Sequence, residues 1–241
     1  MRQFFGNPVA ILLLLYMAYA SFRSGAFNDP MDWLMRELMI LPGIIVGLSF
    51  HEYAHALVAY KLGDDTPRLQ NRLTINPVAH IDPVGFIALL LVGFGWGRPV
   101  EINPRNFKNM RRDELMVSLA GVVMNLLLAI VFALILGLLS KFAGISYYSE
   151  GMGGTIYTVL YYCIYINLVL MVFNLLPVPP LDGFNVVTEL FDLRKYDWWY
   201  TLYNYGSIIL IALIAFNFTS RIMFPILTRL MGIIETVFLS W

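Results

Sequence analysis

Long apolar runs separated by short polar connections dominate the pattern of this chain. Residues 8–22, 39–62, about 113–139, 155–176, 202–218 and 221–241 each read as membrane-spanning helices, because about 20 apolar residues cross a hydrocarbon core of roughly 30 Å. Arg229 and Glu235 interrupt the last of them. Residues 22–38, with Arg23, Asp29, Asp32, Arg36 and Glu37 beside Gly25 and Pro30, are expected to form a polar connection. Residues 68–83 are too polar and too broken by proline for a span. Their centre, Arg72-Leu73-Thr74-Ile75-Asn76, favours a short extended ribbon. Residues 84–94 are apolar but too few to cross, and are expected to form a re-entrant or interfacial piece whose backbone is sheltered by protein or lines a wet cavity. Residues 184–199 are expected to form an interfacial helix with an aromatic belt of Tyr196, Trp198, Trp199 and Tyr200. The expected fold is an all-α polytopic membrane bundle of about six transmembrane helices, with a small membrane-associated β-ribbon and a re-entrant segment. It forms one membrane-embedded domain over residues 1–241, with its core at about 39–185 and peripheral helices at 1–38 and 186–241.

Composition agrees with the pattern. Of 241 residues 59% are hydrophobic and 13% charged, and the mean hydropathy is +0.70, far from the roughly 25% charged residues of a soluble domain. A formal net charge of zero offers nucleic acid no electrostatic footprint, so the expected partners are the lipid bilayer and membrane proteins. Cys163 is the single cysteine, which excludes an intramolecular disulfide and a cysteine-based zinc site. Arg2 ahead of the first run and Ala18-Tyr19-Ala20 at its end could pass for a secretory signal. A retained first span is expected instead, because a polytopic chain needs an insertion signal but no cleavage.

Candidate chemistry lies in the second span. His51 and His55 are four residues apart, so on a helix they fall one turn apart on one face and can hold one Zn²⁺. Glu52 beside them can take a proton from a water whose pKa the metal lowers to about 7. Ionisable groups in an otherwise apolar span are costly in lipid unless they serve a function.

A catalytic zinc takes three protein ligands and leaves one position open. Candidates for the third are Asp182, His80 and the acidic residues of loops. Ten lysines and arginines follow the second and fourth spans, against Arg23, Arg36 and Lys141 on the opposite side, which places the N-terminus and the basic loops in the cytoplasm. The second and fourth spans then run the same way, and His51, His55 and Asp182 share one depth. That agreement favours Asp182, although Asp-Gly after prolines is also ordinary turn chemistry. His80 is a competing ligand, a group near substrate or a solvated side chain. Asn125, one turn from Gly121 in the third span, is either a bundle amide or a contact to substrate.

Together these residues resemble the site-2 proteases, zinc metalloproteases that cut substrates within or near the membrane. The match lies in His51-Glu52-Tyr53-Ala54-His55, in Gly121-Val122-Val123-Met124-Asn125, and in Asn174 followed by Pro177-Val178-Pro179-Pro180-Leu181-Asp182-Gly183. Similarity to the compact prokaryotic branch comes through Asn76-Pro77-Val78-Ala79-His80-Ile81-Asp82-Pro83 and residues 99–107. The family pattern often has proline where this chain has Val122, and residues 140–154 leave no room for a PDZ insert. The resemblance implies one Zn²⁺ per chain held by His51, His55 and Asp182, Glu52 as general base, and Asn125 near the scissile peptide of a membrane-protein substrate; Asn174 and His80 are further candidates for substrate contact. It also implies a multi-pass location in a prokaryotic inner membrane with the active site toward the cytoplasm. The ribbon at 68–83 is then the expected edge for pairing with an unwound substrate peptide. A multispan metal-ion carrier, or a metal-dependent membrane scaffold, is the alternative that the same cluster leaves open.

Overall fold

The computed structural model describes residues 8–25, 27–146 and 149–239; Arg2 and Trp241, which flank the first and last expected spans, lie outside them. The helices are α1 (Pro8–Arg23), α2 (Pro30–Lys61), α3 (Pro83–Val92), α4 (Met110–Ala143), α5 (Met152–Asn174), α6 (Asp182–Phe191), α7 (Asp197–Ala215) and α8 (Phe218–Ile234), with one-turn helices Thr66–Leu69 and Pro77–His80 between α2 and α3. Among the described residues five helices are long and apolar enough to cross a membrane, namely α2, α4, α5, α7 and α8 with its extension to Leu239. α1 is apolar but shorter.

Helix α4 shows why this is a membrane bundle. Val122, Asn125, Ala129, Ala133 and Leu136 recur at three- and four-residue intervals and are buried, yet the opposite face carries exposed Val123, Leu127, Val131, Leu134 and Leu138. A helix apolar on both faces needs protein on one side and lipid on the other. The inner face of α4 packs with Ile164, Leu168 and Met171 of α5, Leu210 of α7 and Met223, Leu227 and Met231 of α8 in one continuous core. Helices α2, α4 and α5 pack against one another to form the centre. Helix α1 lies at the edge, where Ala10 and Met17 meet Ile211 and Ala215 of α7.

Helix α2 begins nine residues before the expected second span. The Asp29 side chain accepts from the backbone N–H groups of Met31 and Asp32, and Pro30 occupies the first turn. Proline there starts a helix rather than breaking one, since its missing N–H would be unpaired anyway.

The expected β-ribbon does not form; no sheet occurs among the described residues. Pro67 and Pro77 each open a one-turn helix, the second capped by the Asn76 side chain on the N–H of Val78. An isolated antiparallel bridge joins Ile81 to Gly97. The β-type side chains of residues 72–75 are overruled by the prolines flanking them, and the proposed pairing edge falls with the ribbon. Residues 83–92 form a ten-residue helix, α3, too short to cross. The expected interfacial helix at 184–199 is divided: α6 ends at Phe191, and α7 begins at Asp197. Trp199 leaves the aromatic belt, being buried, stacked on Phe184 of α6 and bonded through its indole N–H to Thr188 Oγ1 at 2.8 Å.

Candidate metal centre and active site

His51 and His55 lie on α2 with their Nε2 atoms 3.0 Å apart. Asp182, the first residue of α6, places Oδ2 at 3.2 Å from each of them. The residues that α2 and the α5–α6 turn bring together are therefore two imidazoles and one carboxylate, from positions 127 to 131 residues apart in sequence. Leu176 and Leu181, at either end of that turn, are buried in the main core, which fixes where the turn can place Asp182.

The other ring nitrogens show which atoms face inward. Nδ1 of His55 lies 2.7 Å from the carbonyl oxygen of Val117, a group that only accepts, so Nδ1 donates, and in the neutral imidazole Nε2 keeps its lone pair. Nδ1 of His51 lies 2.7 Å from Asn125 Oδ1, while Asn125 Nδ2 donates to the carbonyl of Gly47 at 3.1 Å, so His51 Nδ1 donates as well. Two nitrogen lone pairs and a carboxylate oxygen that has no hydrogen-bond donor then converge in a largely buried space. With both imidazoles neutral this arrangement is repulsive, and a cation placed between the three atoms relieves it. Ligands about 2.0–2.1 Å from a tetrahedral zinc stand roughly 3.3 Å apart, close to the separations found here, so the cluster is compatible with a single zinc ion. Imidazole N–H groups donated to a carbonyl or an amide are the usual support behind metal-bound histidines.

Gly121 makes this approach possible. A Cβ on it would lie 2.5 Å from His51 Cε1 and from His55 Nε2, nearer than such atoms come, so α4 can lie against the imidazoles only with glycine at that position. The spacing of Gly121 and Asn125 thus has two tasks on one face of α4: the glycine admits the rings and the amide orients one of them.

Glu52 follows His51 on α2 and is partly exposed, with Oε2 accepting from the backbone N–H of Val100 at 2.9 Å. The loop that carries Val100 is fastened by Asp64, which is fully buried just past the end of α2. Its carboxylate accepts from Thr66 N (3.1 Å), Thr66 Oγ1, Asn103 N (2.7 Å) and Asn106 Nδ2 (2.7 Å). Burial of Asp64 opposes ionisation, but these hydrogen bonds outweigh it and hold the carboxyl below its usual range.

The remaining expected site residues are elsewhere. Asn125 is fully buried behind His51, with both amide hydrogens spent on Gly47 O and Asn167 Oδ1 (3.0 Å). Asn174 donates back to Leu170 O at 2.9 Å at the end of α5. His80 is buried outside the ligand cluster, its Nε2 2.7 Å from Thr74 O and its own carbonyl accepting from Arg98 N at 2.7 Å, so it braces the α2–α3 connection. Two further residues matter here that sequence reasoning misses. Asp64 reads in sequence only as part of a helix stop, and the one signal of Asn167 is a second amide in an apolar span.

At the base of the site Arg194 bridges Glu114 of α4 and Glu189 of α6, the latter at 2.8 Å. Arg111 donates to the carbonyls of Glu189 (2.8 Å) and Leu190 (3.1 Å), satisfying the C-terminal end of α6. The helix that begins with Asp182 is thereby fixed to the start of the helix that carries Gly121.

Comparison with known proteins agrees with this geometry. The model of Peptidase family M50 matches residues 39–214. The chain is 40% identical over 198 residues to a Bacillus subtilis (strain 168) protein named "Putative zinc metalloprotease YwhC", covering 80% of this chain and 87% of that one. It is 26% identical over 191 residues to "Putative zinc metalloprotease Rip2" of Mycolicibacterium smegmatis, covering 75% and 69%. No solved structure matches. A family match across most of the chain and a relative aligned over four-fifths of it establish that this protein belongs to Peptidase family M50 and is an intramembrane zinc metalloprotease.

Proposed function

We propose that His51, His55 and Asp182 hold the catalytic zinc and that Glu52 is the general base for hydrolysis of peptide bonds in or near transmembrane segments of membrane-protein substrates. The observation that carries this reading is the meeting of two lone-pair-bearing Nε2 atoms and Asp182 Oδ2 within 3.2 Å of one another, one residue from Glu52. Zinc, when bound, supplies a Lewis acid that acidifies water and polarises a carbonyl. The chain's own residues do the rest. Glu52 accepts the proton from water and returns one to the departing amine. The N–H of Val100 keeps its carboxylate turned to one side. Burial of the imidazoles excludes bulk solvent and makes each charge count for more.

A transmembrane helix hides its carbonyls in hydrogen bonds to the fourth residue along, so a substrate must unwind locally before cleavage. Helix α3, too short to cross, is read as the re-entrant segment, lying beside α1 with Leu91 O accepting from Ser21 Oγ. The single domain has its catalytic core at about 39–185, with peripheral helices on either side. The excess of lysine and arginine on the loops after α2 and α5 orients the site toward the cytoplasm. A cysteine introduced at Lys108 should react with a membrane-impermeant maleimide from that side alone; reaction from the other side would reverse the orientation. A metal-ion carrier is not favoured, because the family and its relatives are peptidases.

The test is Glu52→Gln in a cleavage assay with a membrane-protein substrate. Loss of a general base costs about 10²–10⁴ in rate. That loss with zinc retained is expected; a variant cutting at the wild-type rate would remove Glu52 from the mechanism.

A further inference from the structure

The apolar centre of the bundle contains two buried amides, Asn125 on α4 and Asn167 on α5, each with 0% exposure. A buried amide is costly unless its donors and acceptor are paired, and these two are paired in one direction. Asn167 Nδ2 donates to the carbonyl of Cys163 at 2.8 Å. That carbonyl can only accept, so Asn167 Oδ1 must point the other way, where it accepts from Asn125 Nδ2 at 3.0 Å. Asn125 Nδ2 also donates to Gly47 O at 3.1 Å, and Asn125 Oδ1 accepts from His51 Nδ1 at 2.7 Å. The polarity therefore runs without ambiguity from a backbone carbonyl of α5, through two side chains, to one tautomer of His51.

We propose that Asn167 is a positioning residue for the metal centre, holding Asn125 by an amide relay so that His51 presents its Nε2 lone pair to zinc. This rests on the ligand assignment above. Asn167 touches neither metal nor substrate, and it acts through Asn125. Space for the relay is left by Gly47, where a Cβ would lie 2.6 Å from Leu170 Cδ1 and 3.1 Å from Asn167 Oδ1. Glycine there lets α2 approach α5 closely enough for Asn125 to reach both helices. His55 needs no such relay, because its Nδ1 donates directly to the Val117 carbonyl, which cannot rotate. Asn125 can rotate about its side-chain torsions, and Asn167 supplies the second acceptor that holds it.

The experiment is zinc affinity, measured by chelator competition on full-length purified protein, for wild type, Asn125→Ala, Asn167→Leu and the double variant. Removing a hydrogen-bonding partner behind a metal ligand lowers affinity by about 10–100-fold. Asn125→Ala should fall in that range and Asn167→Leu, of similar volume but with no acceptor, near its lower end. Asn167→Leu should add nothing in the Asn125→Ala background, because the relay is already broken. A merely structural role for Asn167 would instead weaken zinc by the same factor in both backgrounds. Asn167→Asp, neutral when protonated in this apolar setting, retains an acceptor for Asn125 and should bind within about threefold of wild type. Melting of the metal-free proteins separates a folding defect from a zinc defect, and Asn167→Ser, too short to reach Asn125, replaces the leucine variant if that variant does not fold. Wild-type affinity in the leucine or serine variant, equal losses in both backgrounds, or an aspartate variant as weak as the leucine one would each overturn the relay. If wild type itself bound no zinc, the ligand assignment would fail first, which keeps the two failures distinct.

Discussion

Glu52 and Val100 lie 48 residues apart in sequence, and the backbone N–H of Val100 donates to Glu52 Oε2 at 2.9 Å. Hydrogen bonds to a charged group contribute about 1.5–3 kcal/mol, and about 1.4 kcal/mol is tenfold in rate. Val100→Pro, which removes the donor, should therefore slow cleavage by about tenfold or more while zinc content stays at the wild-type level. Val100→Ala keeps the N–H and should cut nearly as fast as wild type. Steady-state turnover of the two variants checks this, and equal rates would show that the loop does not hold the base.

Gly121→Ala should lose zinc, because the added methyl would occupy the space of the two imidazoles. The control is Gly232→Ala on α8, where a Cβ meets nothing within 4 Å; it should keep zinc and gain slightly in stability, by about 1 kcal/mol at most, from better helix propensity. Metal analysis of both proteins decides the matter, and a Gly121→Ala protein with full zinc would mean that α4 does not abut the rings.

Asp64→Asn should destabilise the protein by about 1–3 kcal/mol, since the donors of Asn103 and Asn106 would lose an ionised partner in a buried place. The native carboxyl is held below its ordinary value, so its contribution is complete above the unfolded-state pKa of about 3.9 and is lost as pH falls toward the native one. Thermal unfolding in detergent should show wild type losing stability below about pH 4 more steeply than Asp64→Asn. Parallel curves would contradict the assigned role.

Glu189 has the opposite sign. Burial and the adjacent Glu114 carboxyl push it up to about 7, against the pull of Arg194 and Arg111. Between its ordinary value of 4.5 and about 7 the folded state holds the proton more firmly than the unfolded one, so stability should decline as pH rises through that window and then level off. Glu189→Gln should remove this decline and be the more stable protein above pH about 7. Melting temperatures of both from about pH 5 to 8 test it; a wild-type curve rising with pH across that range would refute it.

The spans are legible in the sequence because an apolar run of about 20 residues suits little besides a membrane crossing, and the meeting of His51, His55 and Asp182 because a helix repeat and matching depth converge on one place. What escapes the sequence depends on contacts between distant residues. Pro30, Pro67 and Pro77 look like breaks in the linear pattern, whereas each occupies the first turn of a helix. Trp199 resembles its neighbours in the aromatic belt until α6 covers it. Asp64 and Asn167 carry only weak local marks, a helix stop and an amide in an apolar span, because their importance lies in which groups the fold presents to them.

Zinc content of purified Asp182→Ala, set beside Glu52→Gln, tests the metal centre most directly. Wild type and Glu52→Gln should each carry one zinc per chain, and Asp182→Ala should carry little or none after dialysis against a weak chelator. An Asp182→Ala protein that keeps its zinc as firmly as wild type would show that the carboxylate at the start of α6 is not a ligand.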